Sequence, residues 1–194
     1  MRSALSEALA ALARALETLD ARWYLFGAQA ALLYGAARLT ADIDVTVRLG
    51  DQNTAELIRV LEASGFTLRV RDVDDFVART RVLPLLHRGS GMPVDLVLAG
   101  PGLEELFLKR RRRRMLDGVS VPVASPEDMV VMKVLAGRGK DEDDAVAILA
   151  AQRKLKLERV RRTLDMLERA LDQSDLRPRF ETLLRRARRR APRY

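Results

Sequence analysis

Three carboxylates occupy positions where an acidic side chain is unfavourable unless it performs chemistry. Asp42 and Asp44 stand two residues apart in Asp42–Val47, whose alternation predicts a β-strand with both acids on one face. Asp95 is the only acid in the apolar segment Val94–Leu98, which also predicts a strand. A buried strand tolerates a lone carboxylate poorly unless it is paired or bound to a metal.

The donor types available to these acids favour a hard cation. Side chains two apart on a strand have Cα atoms roughly 6–7 Å apart, and two such carboxylates repel each other unless a cation lies between them. With one histidine and no cysteine in the chain, oxygen ligation indicates Mg²⁺ or Mn²⁺. Three acids on neighbouring strands would suit two metals about 3.5–4 Å apart, an arrangement that serves phosphoryl transfer. The alternative is an Asp-x-Asp on an exposed strand end without function.

A turn upstream of the acids has features of a phosphate site. Gly27 follows the apolar strand Trp23–Phe26 and precedes a short predicted helix, Gln29–Tyr34. A turn of this kind offers backbone N–H groups and a helix N-terminus to phosphate oxygens. Arg38 and Thr40 stand just before the Asp42 strand, where they either face a substrate phosphate or serve as ordinary loop residues.

These segments together resemble a known family. The pattern consists of Gly27-Ala28-Gln29-Ala30, then Arg38-Leu39-Thr40-Ala41-Asp42-Ile43-Asp44, then Val94-Asp95-Leu96. It is similar to the nucleotidyltransferase superfamily with the polymerase-β-like core. Within that superfamily it most resembles the AbiEii-like group, the nucleotidyltransferase toxins of bacterial toxin–antitoxin and abortive-infection systems. The resemblance covers about residues 23–149.

The resemblance implies a role for each matching residue. Asp42 and Asp44 would bind the metals, Asp95 would be the third ligand and the base for the acceptor hydroxyl, and Gly27 would contact nucleotide phosphate. Many relatives have Gly or Ser where this chain has Ala28, which weakens the case for tight triphosphate binding. Further nucleotide-facing roles are implied for residues of the helices after the sheet: Lys133, Arg138, Lys140 and Asp141, with Asp144 one turn further on.

The elements that position these residues change in type along the chain. Strands and helices alternate as far as Val119–Val123, and helices alone follow. This order predicts an α/β fold: a small mixed β-sheet nucleotidyltransferase core flanked by helices, followed by a C-terminal helical bundle. The core would be residues 1–124 and the helical region residues 125–194. Leu103–Arg114 is predicted as one helix, and Ser125-Pro126 as the start of another.

Basic residues are concentrated at the end of the chain. The sequence has 35 Lys and Arg against 27 Asp and Glu, a net charge of +8, and residues 153–194 contain 15 of the basic and 6 of the acidic residues. A basic helical tail suggests contact with a polyanion such as RNA, and the alternative is a solvated helix face. The candidate nucleic-acid contacts are Arg185, Arg186, Arg188, Arg189 and Arg190. A second basic run occupies Lys109–Arg114.

The sequence and the resemblance together predict an enzyme. It would move a nucleoside monophosphate from an NTP to a hydroxyl of RNA, such as a tRNA 3′ end, or of a protein, with release of pyrophosphate. A toxin–antitoxin context would add an antitoxin partner. The alternatives are a catalytically weak nucleotide-binding relative that acts through a protein partner, and a plain RNA-binding module. No apolar run approaches the ~20 residues that span a bilayer, so we expect no membrane insertion, and the lack of cysteine suits the cytoplasm.

Overall fold

The computed structural model describes residues 3–37, 40–51 and 53–190, and these form two compact units. The first unit contains residues 3–29 and 40–124, and the second contains residues 30–37 and 125–190. The boundary after Ala124 falls where strands give way to helices. The segment 30–37 groups with the C-terminal helices although it follows the first strand in the chain.

A mixed seven-stranded sheet organises the first unit, as the described residues show it. Its strands lie in the order β3-β4-β5-β2-β1-β7-β6. They are β1 Arg22–Phe26, β2 Ile43–Arg48, β3 Phe66–Leu68, β4 Val82–His87, β5 Met92–Leu98, β6 Arg112–Leu116 and β7 Val119–Val123. The pairs β2–β5 and β1–β7 are parallel and the others are antiparallel. The predicted mixed α/β core is therefore confirmed.

Helices accompany the sheet and then follow it. Those that begin in the first unit are α1 Ala4–Thr18, α2 Gly27–Leu32, α3 Thr54–Ala63, α4 Val73–Thr80 and α5 Leu103–Arg110. The C-terminal helices are α6 Pro126–Ala136, α7 Gly139–Ala151, α8 Leu157–Leu171 and α9 Leu176–Arg190. Within the part of the chain that the structure describes, no helix is long and apolar enough to cross a bilayer.

The strand β2 shows why the carboxylates are accessible. Ile43, Val45 and Val47 are fully buried, so one face of this strand packs against the core. Asp44 alternates with them and is half-buried on the other face. Because side chains of a strand alternate between faces, the apolar residues pack against the core while the Asp44 side chain lies on the opposite face.

One predicted element was wrong. Residues 103–114 do not form a single helix: α5 ends at Arg110, Arg111 has extended backbone angles (φ −57°, ψ 151°), and β6 begins at Arg112. The strand pairs with β7 across a turn at Asp117-Gly118, where both residues have positive φ (48° and 76°). Asp-Gly is a preferred two-residue hairpin turn. Tertiary pairing at the sheet edge therefore overrides the helix propensity of the arginine run.

The start of α6 follows local chemistry. The Ser125 side chain accepts a hydrogen bond from the Asp128 backbone N–H (3.2 Å), and Pro126 occupies the first turn. Gly137 ends the helix with φ 61°, a left-handed conformation that glycine adopts without strain. Arg138 has extended backbone angles (φ −80°, ψ 147°), and α7 begins at Gly139.

Candidate active site

Asp44 and Asp95 are direct neighbours in the sheet. Their strands, β2 and β5, pair in parallel with Asp44 opposite Asp95. Adjacent strands lie about 4.8 Å apart, and paired residues of parallel strands point to the same face. Both residues are half-buried. Two carboxylates that are 51 positions apart in the sequence therefore share one face of the sheet.

The turn at Gly27 lies against Asp44. Gly27 has φ +70°, and a β-carbon built on it would fall 1.9 Å from Oδ2 of Asp44. In the sheet, Phe26 on β1 is paired with Asp44 on β2, so the strand that ends at residue 26 delivers the turn directly to the carboxylate. Glycine is required here both for the positive φ and for the space. The predicted phosphate-binding turn and the predicted metal ligand thus meet in one place.

The segment before β2 is tied to the same turn. Asp42 is exposed, precedes the first residue of β2, and its backbone N–H donates to Oγ1 of Thr40 (3.3 Å). Nε2 of the buried Gln29 donates to the carbonyl of Thr40 (3.2 Å). Ala28, between Gly27 and Gln29, is also buried. Arg38, predicted to face phosphate, lies outside the described residues.

Arg69 is a site residue that sequence reasoning missed. It follows β3, its backbone N–H donates to the carbonyl of Pro84 (2.8 Å), and its Nε donates to the carbonyl of Leu85 (3.1 Å). With these two anchors on β4, its guanidinium forms an ion pair with Asp95. No local pattern marks Arg69, because its role depends on the order β3-β4-β5, which places Pro84 beside Asp95.

The carboxylates of Asp42, Asp44 and Asp95 are the candidate ligands for a divalent cation. Their donors are carboxylate oxygens, which Mg²⁺ and Mn²⁺ prefer. Among residues 3–37, 40–51 and 53–190, no group of three or more His, Cys, Asp or Glu side chains is clustered closely enough to hold a metal ion. Asp44 and Asp95 offer a two-carboxylate platform, and a cation on Asp95 would take the place of the Arg69 guanidinium. The donor chemistry fits, and Asp42 is the remaining candidate ligand.

The second unit contains a buried charge network. Lys133 is 6% exposed, and its Nζ donates to Oδ1 of Asp141 (2.8 Å) and to Oδ2 of Asp144 (2.8 Å). Nε of Arg138 donates to the other oxygen of Asp141 (2.5 Å). Burial opposes ionisation of Asp141, but the hydrogen bonds from Arg138 and Lys133 outweigh it, so the pKa of Asp141 is lowered.

Three of the four predicted nucleotide contacts in this region, Lys133, Arg138 and Asp141, belong to this charge network. The ammonium of Lys133 is engaged by two carboxylates, so its implied role toward a triphosphate stays a prediction. Arg138 forms an ion pair with Asp141, although most of its side chain is exposed. Lys140 is also exposed. The sequence placed Lys133, Asp141 and Asp144 together only by resemblance, and the packing of α6 against α7 brings them into contact.

The basic tail is divided in its environment. Arg186 on α9 pairs with Glu142 (3.4 Å) and Asp143 (2.8 Å) on α7 and so fastens α9 to its neighbour. Arg185 is exposed and donates to Oγ1 of Thr182 (2.9 Å). The remaining candidates, Arg188, Arg189 and Arg190, are also exposed. All five candidate arginines are therefore exposed, but Arg186 is already paired with acids of α7.

Comparison with known proteins bears on the fold. No protein-family profile matches the chain, and no curated protein matches its sequence. Among solved structures, the chain resembles the antibiotic-resistance factor ANT(2″)-Ia with a TM-score of 0.55 and 15% identity, over 84% of this chain and 92% of that one. It also resembles an antigenic nucleotidyltransferase-like protein from Paracoccidioides brasiliensis, with a TM-score of 0.53 and 18% identity, over 92% and 91% of the two chains. The chain thus has the fold of nucleotidyltransferases.

Proposed function

We propose that this protein is a metal-dependent nucleotidyltransferase that moves a nucleoside monophosphate from an NTP to a hydroxyl acceptor. The observation that carries the proposal is the meeting of Asp44, Asp95 and Gly27 on one face of the sheet. A close approach of a glycine backbone to Asp44, whose neighbour in the sheet is Asp95, suits a site where phosphate and metal bind side by side. The likeness to solved nucleotidyltransferases supports the same chemistry.

The proposed reaction has one displacement step. An oxygen of the acceptor hydroxyl attacks the α-phosphorus, a new O–P bond forms, and the bond from the α-phosphorus to the bridging oxygen breaks. Pyrophosphate leaves with that electron pair, and the hydroxyl proton passes to a carboxylate, for which Asp95 is the candidate. A bound divalent cation would supply charge neutralisation to the phosphates. Asp42, Asp44 and Asp95 would hold it, and the Gly27 turn would offer backbone N–H groups to phosphate oxygens.

The acceptor class is the finer part of the proposal. The motif resemblance to the AbiEii-like group supports an RNA end, such as a tRNA 3′ end, or a protein hydroxyl, in the setting of a toxin restrained by an antitoxin. Exposed arginines on α9 support RNA, because cations along a surface bind phosphates without a sequence code. One structural neighbour is an antibiotic-resistance factor, so antibiotics with free hydroxyls belong in the test.

The proposal is tested by label transfer. Purified protein is incubated with Mg²⁺ and each α-labelled NTP, together with total RNA, a panel of hydroxyl-bearing antibiotics, or the protein alone. Asp44→Asn and Asp95→Asn should each lower transfer by at least about 100-fold, because several kcal/mol of charge stabilisation is lost. Asp51→Asn is the matched control, since Asp51 is an exposed acid beyond the opposite end of β2. Its rate should equal that of the wild type.

The outcomes separate the candidate functions. Label on RNA, on protein or on an antibiotic identifies the acceptor class. NTP binding without any transfer would replace the proposal with the regulatory, nucleotide-binding alternative. RNA binding that is unaffected by chelator and by Asp44→Asn, with neither NTP binding nor transfer, would leave the RNA-binding module. Growth arrest on expression that requires Asp44 would support the toxin assignment.

A further inference from the structure

A cavity of about 520 Å³ lies in the first unit near the start of β1. Its walls come from α1, β1, the β6–β7 hairpin and the residue that precedes β6. In β1, Arg22 pairs with Arg48 at this end, whereas Phe26 pairs with Asp44 at the other end. The four residue steps between Arg22 and Phe26 correspond to roughly 13 Å along the strand. The cavity is therefore separate from the carboxylate pair.

Three arginines from different parts of the chain line this cavity: Arg22, Arg111 and Arg113. The pKa of Arg111 is lowered, first by burial and then by the positive charges of Arg22 and Arg113, while the negative charge of Glu105 opposes the shift. Arg22 and Arg113 therefore each lie close enough to Arg111 to repel its guanidinium. Arranging like charges around a half-buried cation is unfavourable unless an anion compensates for them.

The protein compensates for only part of this charge. Arg22 forms two hydrogen bonds of 3.1 Å with Glu105. In the described part of the chain, the side chain of Arg113 has neither an ion pair nor a hydrogen bond. Glu17 and Asp20 also line the cavity, yet in that same part of the chain they pair with none of these arginines, and neither contributes to the pKa shift of Arg111. Among the described residues, Arg113 is therefore the one arginine of the three whose guanidinium has no partner, since Arg22 is paired with Glu105 and Arg111 donates to the carbonyl of Leu108.

The basic surface continues from the cavity along the edge of the sheet. The strand β6 lies at the end of the strand order, and Arg112 and Arg114 on it are exposed. Because side chains of a strand alternate, these two point away from the face that carries Arg113. A small anion would contact only the cavity, whereas a polyanion would contact both the cavity and the edge. Guanidinium groups match phosphate geometry well.

We propose that the cavity lined by Arg22, Arg111 and Arg113 is an RNA-phosphate site, with β6 extending the contact. The biological role of this site rests on the proposed function. The site would be a second place, apart from the carboxylates, where the protein holds an RNA acceptor. One RNA phosphate binds in the cavity at Arg113, and neighbouring phosphates bind at Arg112 and Arg114 on the edge strand.

The test compares two arginines of one strand. Binding of inorganic phosphate is measured by NMR titration. Binding of a fluorescent single-stranded RNA is measured by anisotropy over a range of KCl concentrations. Both assays contain neither NTP nor divalent cation. Arg113→Gln should weaken phosphate binding at least about fivefold, and Arg112→Gln, with the same loss of charge, should leave it unchanged. For RNA, Arg113→Gln should lower the log–log salt slope by about 0.7. Arg113→Lys keeps the charge and should recover part of the RNA affinity.

Each contrary result has a defined meaning. Equal effects of Arg112→Gln and Arg113→Gln on phosphate, or none, would overturn the cavity as a site. Phosphate binding lost in Arg113→Gln with RNA binding unchanged would overturn the RNA assignment in favour of a small phosphate ligand. Because these assays contain no NTP or divalent cation and involve no transfer, their outcome does not depend on whether the catalytic site is active. A failure of the catalytic proposal is therefore distinguishable from a failure of this one.

Discussion

Asp44 occupies the space that a side chain at residue 27 would need. A β-carbon on Gly27 would fall 1.9 Å from Oδ2 of Asp44 and 2.6 Å from its Cγ. The carboxylate and the turn therefore depend on each other: the turn can approach because residue 27 is glycine, and Asp44 keeps its position because nothing projects from the turn. This relationship lies at the centre of the proposed site.

Gly27→Ala is expected to abolish nucleotidyl transfer, because the added methyl group displaces either the Asp44 carboxylate or the turn. Gly91→Ala is the matched control. Gly91 has nearly the same φ (+67° against +70°), and nothing lies within 4 Å of its built β-carbon. Both variants should lose about 1–2 kcal/mol of stability from the left-handed backbone. Transfer rates and urea unfolding measure the two effects, and wild-type activity in Gly27→Ala would contradict the close contact.

Arg69→Gln is expected to bind Mn²⁺ about two- to fivefold more tightly than the wild type. The Arg69 guanidinium and a divalent cation compete for Asp95, and since both side chains of the pair are about 40% exposed, the ion pair contributes at most about 1 kcal/mol. Electron paramagnetic resonance of Mn²⁺ gives the affinity. Arg71→Gln, an exposed neighbour, serves as the control. An unchanged affinity would mean that Asp95 does not bind the cation.

Lys133→Met is expected to destabilise the protein by about 3–5 kcal/mol, because it leaves two buried carboxylates without their shared cation. Lys140→Met removes the same charge from an exposed position of the same unit and should change stability by no more than about 0.5 kcal/mol. Chemical denaturation measures both. Similar stabilities of the two variants would show that the network does not hold the second unit together.

The pH dependence of stability follows from Asp141. Its folded-state pKa is below the ordinary value of 3.8, so the unfolded chain binds a proton more readily than the folded one does. The resulting stabilisation is present above about pH 4 and is lost as the pH falls through the folded-state pKa. Asp141→Asn should remove this contribution, so its free energy of unfolding should decline less than that of the wild type between pH 5 and pH 2. Parallel curves would contradict the lowered pKa.

The tail arginines should differ in RNA binding. Replacing Arg188, Arg189 and Arg190 together by Gln should lower the log–log salt slope by up to about 2, since each lost phosphate contact removes about 0.7. Arg186→Gln should leave the slope nearly unchanged, because Arg186 is already paired with acids of α7. Anisotropy at several KCl concentrations provides the slopes. An unaltered slope in the triple variant would identify the tail as a solvated face.

Much of the fold was predictable because it follows from local patterns. The alternation in Asp42–Val47 predicted β2, which the structure begins one residue later and extends to Arg48. The Ser125 cap predicted the start of α6. The helix predicted through Arg114 was wrong, because β6 shows no alternation of apolar and polar residues. This strand lies at the edge of the sheet, and its arginines are exposed on both faces. Its pairing with β7 is what makes it a strand.

By itself, the sequence determined which residue types were available: two carboxylates on strands and a third directly before one, a glycine before a helix, and an arginine run. These features depend on neighbours in the chain, which local periodicity reveals. The tertiary structure decided which of them meet. Strand order placed Asp95 opposite Asp44 and brought Arg69 onto Asp95, and the β6–β7 hairpin carried Arg113 to a cavity shared with Arg22. Such contacts join residues far apart in sequence, so only the packing of the whole sheet specifies them.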